Sequence, residues 1–179
     1  MLKSRCVYDA VFDWTSAENR FMVQHRTFKD WSIAFTSLYL DGMIIFFSVH
    51  IILYAKNARI LISVGVFYFS RAICQALFLF EFPIGYAFDD PGFPSLMVAY
   101  QVTSDFYYSG HCGILVFIAM ELRHLGHKKL YYCNILVLMF MIFVMLSTRG
   151  HYSIDIVISI LAGFYSQMVG FKLKAFFKR

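Results

Sequence analysis

The sequence predicts an all-α integral membrane bundle of about five transmembrane helices, and two observations carry that expectation. The first is composition: 60% of the residues are hydrophobic, 20% aromatic and only 15% charged, with a mean hydropathy of +0.63. Ordinary globular domains are about half apolar and about a quarter charged, so the soluble classes are excluded. The second is grouping. The apolar residues fall into five stretches, roughly 31–55, 60–82, 105–123, 130–148 and 152–172. Each approaches the roughly 20 residues that a helix needs to cross a bilayer.

Taken in order, residues 1–30 do not span. Val7, Tyr8, Val11, Phe12 and Trp14 alternate with charges at near-helical spacing, as in an interfacial helix or a helix packed on protein. Asp9, Asp13, Glu18 and Asp30, with no continuous apolar core, exclude a signal peptide. The chain therefore divides into an N-terminal interfacial segment, 1–30, and a five-helix membrane domain, 31–179. None of the five stretches contains proline. Pro83, Pro91 and Pro94 all fall in one connection, EFPIGYAFDDPGFPSL, which must be a loop.

Short connections force successive helices to run up and down, which sorts the turns onto two faces. One face collects Lys56 and Arg59, then Arg123, Lys128 and Lys129, then Lys172, Lys174, Lys178 and Arg179. The other receives the 83–104 loop, free of Lys and Arg, and the turn with Arg149. The positive-inside rule makes the first face cytosolic or its matrix equivalent, although Lys3, Arg5, Arg20, Arg26 and Lys29 of the N-terminal segment add charge to the sparse face. The net charge of +5 thus belongs to membrane-facing loops, and nucleic-acid binding is not implied. Cys6, Cys74, Cys112 and Cys133 show no CxxC pairing, so neither a disulfide framework nor a zinc site is expected.

Two motifs carry chemistry: Ser109-Gly110-His111 and, forty residues on, His151-Tyr152-Ser153-Ile154-Asp155. The third and fifth stretches start on the same face, so the two histidines can share one site there. His151 and Asp155 are four residues apart and lie on one side of a helix. The carboxylate can then hold the protonated ring nitrogen and leave the other free to attack phosphorus. His111 would protonate the departing oxygen and later deprotonate the incoming hydroxyl. Ser109 and the backbone at Gly110, at a helix N-terminus, are suited to phosphate oxygens. The bland alternative is a set of polar residues bonding helices together.

Arg71 and Asp41 lie eleven and about ten residues from the exoplasmic ends of their spans, hence roughly 15 Å deep at 1.5 Å per residue. An Arg at mid-bilayer costs about 2.5–3.5 kcal/mol on insertion scales, so it needs a partner or a purpose. Two are open: a phosphate-binding Arg71, or an Asp41–Arg71 ion pair joining two helices. His50, His124 and His127 fall at the far face and His25 in the polar N-terminal segment, where solvated or interfacial roles are expected. Glu121 is expected to reach the far interface.

SDFYYSGHCG resembles the sphingomyelin synthase motif CGDxxxSGHT, HYSIDI resembles its HYTxDV motif, and ARILISVGVFYFSRAICQ resembles its arginine-containing span. The likeness covers roughly residues 30–172 and implies a PAP2-like core, the wider lipid phosphatase superfamily. It implies phosphocholine transfer from a glycerophospholipid to ceramide through a phosphohistidine. His111, His151 and Asp155 would be the triad, and Ser109, Gly110, Arg71 and Asp105 the substrate and phosphate contacts. No metal or organic cofactor is implied. Ser104 and Cys112 depart from the motif, and Met145 stands where lipid phosphatases carry an Arg. The first of the family's six spans is missing. Three functions then remain: the transferase, in a Golgi or plasma membrane; a lipid phosphate hydrolase; and a non-catalytic subunit of a larger membrane assembly with protein partners, a mitochondrial inner-membrane complex among them.

Overall fold

The computed structural model describes residues 7–54, 59–78, 80–98, 100 and 106–177. They form seven helices: α1 (Ala10–Trp14), α2 (Ser16–Gln24), α3 (Arg26–Tyr54), α4 (Arg59–Leu77), α5 (Gly110–His124), α6 (Lys128–Ser147) and α7 (Ser153–Phe177). No strand occurs among the described residues. Four helices, α3, α4, α6 and α7, are long and apolar enough to cross a membrane. The chain is an integral membrane protein.

The expectation of five spanning helices needs correction at α5. With 15 residues it is about 22 Å long, short of the roughly 30 Å hydrocarbon core. Residues 106–109 before it are not helical, and the helix begins only at the Ser109 cap. Its shortness is tolerated because α5 is wrapped by protein, with Cys112, Leu115 and Leu122 fully buried. Its ends still match the bundle: it starts beside the start of α7 and returns to the start of α6. The fourth stretch fits α6 closely, whereas α4 stops at Leu77 and not near residue 82. Phe82 precedes Pro83, and a residue before proline is pushed out of the helical region.

Close backbone approach fixes the core. A Cβ on Gly113 would meet Phe67 ring carbons at 2.5 Å and the Ser159 carbonyl at 2.9 Å, and one on Gly163 would lie 2.8 Å from the Gly113 carbonyl. Small residues let helices touch where lipid supplies no hydrophobic drive for association. The outer surface is apolar, with Leu61, Phe69, Leu136, Met139 and Leu161 exposed, as lipid-facing helices require. Inside, Nδ2 of Asn134 donates to the Leu115 carbonyl at 2.8 Å, linking α6 to α5.

Buried charge is distributed differently from the sequence expectation. Glu121 does not reach the interface. It is fully buried, and Nη2 of Arg59 donates to its Oε2 at 2.6 Å while Nε2 of Gln167 donates to its Oε1 at 2.6 Å. Arg59 is itself buried and leaves the basic turn to which it was assigned. A fork-to-fork pair is neutral as a unit, which is how two charges survive at this depth. Nor does Asp41 pair with Arg71. Its carboxylate accepts the backbone N–H groups of Leu96 at 2.9 Å and Met97 at 3.2 Å and the Ser95 hydroxyl at 3.1 Å, pulling the 80–98 loop down onto α3. Lys29 adds a second tie to that loop, to Asp89 at 2.8 Å.

Replacing Glu121 by Ala leaves Arg59 buried and uncompensated, and should destabilise the protein by about 3–5 kcal/mol. Arg59→Met combined with Glu121→Leu should recover most of that loss. Thermal unfolding in detergent checks both; losses that simply add would show that the two side chains are not coupled.

Candidate functional site

The two motifs meet at one end of the bundle, where α4 ends and α5 and α7 begin. Ser109 caps α5, its hydroxyl accepting the Cys112 N–H at 3.4 Å, and its own N–H donates to the Asp155 carbonyl at 3.4 Å. Gly110 lies against Arg71: a Cβ there would be 3.2 Å from the guanidinium Nε, tighter than an ordinary contact. The same Nε donates to the Tyr108 carbonyl at 3.4 Å. Because α4 ends at Leu77, Arg71 is six residues from its helix end, or about 9 Å deep and not 15. That brings its guanidinium to the level of the α5 N-terminus.

Asp155 is fully buried and is the hub of the site. Its Oδ2 lies 3.1 Å from Nδ1 of His151 and accepts the Tyr152 N–H at 3.0 Å. Its Oδ1 accepts the Tyr107 N–H at 2.8 Å and holds that residue at φ 79°, a left-handed conformation uncommon for a side chain of this size. A carboxylate can only accept, so the proton of His151 sits on Nδ1 and the lone pair on Nε2. The His111 and His151 rings are 6.0 Å apart between centroids and inclined by 61°. Among the described residues neither ring nitrogen of His111 has a hydrogen-bond partner, although both are shielded from solvent. Phe88 and Phe106 pack at 6.2 Å and 6.0 Å from His111 and His151 respectively, giving the pair apolar walls.

The structure therefore brings together His111, His151, Asp155, Ser109, Gly110 and Arg71, while Asp105 lies outside the described residues. The remaining histidines stay apart from this group. His50, His124 and His127 pack on Phe46 or Phe171 at the opposite end, and His25 caps α2 and stacks on Phe21. Among the described residues no three His, Cys, Asp or Glu side chains are grouped so as to hold a metal ion.

One part of the site escaped the sequence reading. The N-terminal helices clamp the loop that carries His151. Asp9 caps α1 by accepting the Val11 N–H at 3.0 Å, and it also accepts the Ser153 N–H at 2.6 Å and the Ser153 hydroxyl at 3.0 Å, so one carboxylate caps α1 and α7 together. Nδ2 of Asn19 donates to the Ser147 carbonyl at 2.8 Å and to that of Gly85 at 3.0 Å. Arg149 donates to the Phe12 carbonyl and rests on the Phe12 ring, and Phe12 stacks on Tyr152 at 5.4 Å. The sequence reading marked no cap at Asp9, and its partner 144 residues away left no short-range signal.

Fold and site together define a polytopic, all-helical membrane protein with two histidines and an aspartate at one end of its bundle. The model of the AtPDCT1/2 family matches residues 8–172, and the chain belongs to that family. No curated protein and no solved structure matches it. The family match corrects the resemblance to sphingomyelin synthase and its PAP2-like superfamily. SGH and HYSID are short motifs, too short to separate one family from another. Membership associates the chain with phospholipid headgroup transfer and lends no support to ceramide as the acceptor.

Asp9→Ala should remove about 0.5–2 kcal/mol of capping energy and loosen the clamp. Trypsin cleavage at the exposed Arg20 should accelerate relative to wild type; unchanged cleavage would show that α1 and α2 are held by other contacts.

Proposed function

We propose that the chain moves the phosphocholine headgroup of phosphatidylcholine onto a diacylglycerol acceptor by way of a phosphohistidine. The observation that carries this is the pairing of a carboxylate-oriented His151 with a His111 whose ring nitrogens are both free, 6.0 Å away, beside Arg71 and the α5 N-terminus. The family description, phosphatidylcholine:diacylglycerol cholinephosphotransferase-related, supports the same donor and acceptor.

In the first half-reaction Nε2 of His151 attacks phosphorus, the bond from phosphorus to the glycerol oxygen breaks, and His111 gives that oxygen its proton, releasing diacylglycerol. Asp155 stabilises the charge that grows on the His151 ring. In the second half, the hydroxyl of another diacylglycerol loses its proton to His111 and attacks the phosphohistidine, restoring His151. Attack and departure lie on opposite sides of phosphorus, which suits a nucleophile and an acid facing each other. Arg71, the Gly110 N–H and the positive end of α5 neutralise the phosphoryl oxygens. The acceptor reaches the site from the bilayer, between apolar helices, and the site faces the exoplasmic side, opposite the basic turns.

The test is headgroup exchange in liposomes containing phosphatidylcholine and a fluorescent diacylglycerol. Wild type should form fluorescent phosphatidylcholine. His151→Ala should abolish it, and Asp155→Asn should lower the rate by about 10³–10⁴-fold, the size of effect seen when a catalytic histidine loses its carboxylate. Release of free phosphocholine in place of exchange would make the chain a hydrolase. No product from folded wild-type protein would refute both enzymes.

A further inference from the structure

A cavity of about 370 Å³ lies under α1, against the α6–α7 turn, within the roughly 300–1,000 Å³ typical of ligand sites. Arg149 forms part of its wall. This residue is only 6% exposed, yet among the described residues its Nε and Nη1 have no hydrogen-bond partner, while Nη2 donates to the Phe12 carbonyl. Buried guanidinium donors left empty are expensive, and they call for an oxygen acceptor that the protein itself does not supply. Arg149 is also held at φ 57°, outside the usual range for its type, so its placement is enforced by the surrounding fold.

Asp13 lines the same cavity. Its Oδ2 accepts the Tyr8 hydroxyl at 2.6 Å, and no ion pair joins it to Arg149 among the described residues. The remaining carboxylate, Asp9, is occupied by its three donors from Val11 and Ser153. The cavity thus presents a cation in want of an acceptor and, beyond ion-pair reach, a carboxylate with capacity to spare. The rings of Tyr8 and Phe82 line the same cavity, the kind of surface that favours a quaternary ammonium. Trp14 and Tyr8, both nearly four-fifths exposed on α1, are the residue types that settle at the headgroup level of a bilayer.

We infer that this cavity is a lipid subsite for the zwitterionic headgroup of a phospholipid, its phosphate on Arg149 and its ammonium between Asp13 and the aromatic rings. It is separate from the phosphoryl-transfer site: Tyr152 and Phe106, both almost fully buried, stand between the cavity wall and His151. A phospholipid held there sits beside the loop that carries His151 and adds its own contacts to the clamp. The inference rests on the phospholipid reading above, but not on the transfer chemistry.

The experiment is calorimetric titration of the full chain in a non-ionic detergent with two soluble probes, glycerophosphocholine and glycerol 3-phosphate. Wild type and His151→Ala should bind glycerophosphocholine alike, because the cavity does not use the catalytic nitrogen. Asp13→Asn, at an exposed position where folding is not at stake, should weaken glycerophosphocholine roughly fivefold or more and leave glycerol 3-phosphate unchanged. Arg149→Gln should weaken both. Binding that is lost in His151→Ala and untouched by Asp13→Asn would overturn the inference, as would no binding of either probe at millimolar concentration. Headgroup exchange with binding insensitive to both cavity variants would retain the transferase and refute the cavity; binding as described without exchange would do the reverse.

Discussion

The carboxylate of Asp155 accepts the backbone N–H groups of Tyr107 and Tyr152 and meets Nδ1 of His151, and the geometry of the site depends on this one buried charge. Tyr107 belongs to the segment entering α5 and Tyr152 to the turn entering α7, so a single side chain sets the position of both motif-bearing loops. The same charge fixes the tautomer of His151, with the proton on Nδ1 and the lone pair on Nε2. Removing it would take from all three donors the acceptor they share and loosen both loops together.

Around that hub, the protein solves the problem of polar groups in lipid by pairing and capping. Asp41 is satisfied by loop N–H groups, Glu121 by Arg59 and Gln167, and Asp9 by the start of α7. Several buried polar atoms have no partner among the described residues, on Glu18, Asp30, Ser63, Gln75 and Ser147 as well as on His111 and Arg149. The ring nitrogens of His111 and the guanidinium of Arg149 lie at the end of the bundle where the motifs meet. An unmet donor in a low-dielectric environment is a standing cost, and a ligand that removes it gains the difference.

The membrane class, four of the spanning stretches and the meeting of the two histidines were legible for simple physical reasons. Hydropathy over about 20 residues reports a span directly. Parity of the turns assigns His111 and His151 to one end, and a four-residue interval assigns Asp155 to His151. The errors share a cause as well. Glu121 and Arg59 were read one at a time, as charges that must find water, whereas the fold neutralises them against each other. The length of α5 was read as though it faced lipid, but it is enclosed by neighbours. The family was read from motifs that describe the phosphate and not the acceptor.

By itself the sequence determined that the chain lives in a membrane, where it crosses, and which side chains could share one end, because those properties depend on local composition and helical periodicity. The tertiary structure alone decided that the N-terminal helices clamp the loop that carries His151, that Arg71 stands at Gly110 and not at Asp41, and that Arg149 and Asp13 border one cavity. Those contacts join residues up to 144 positions apart. They are set by helix packing and loop paths, for which no short-range pattern in the chain carries a signal.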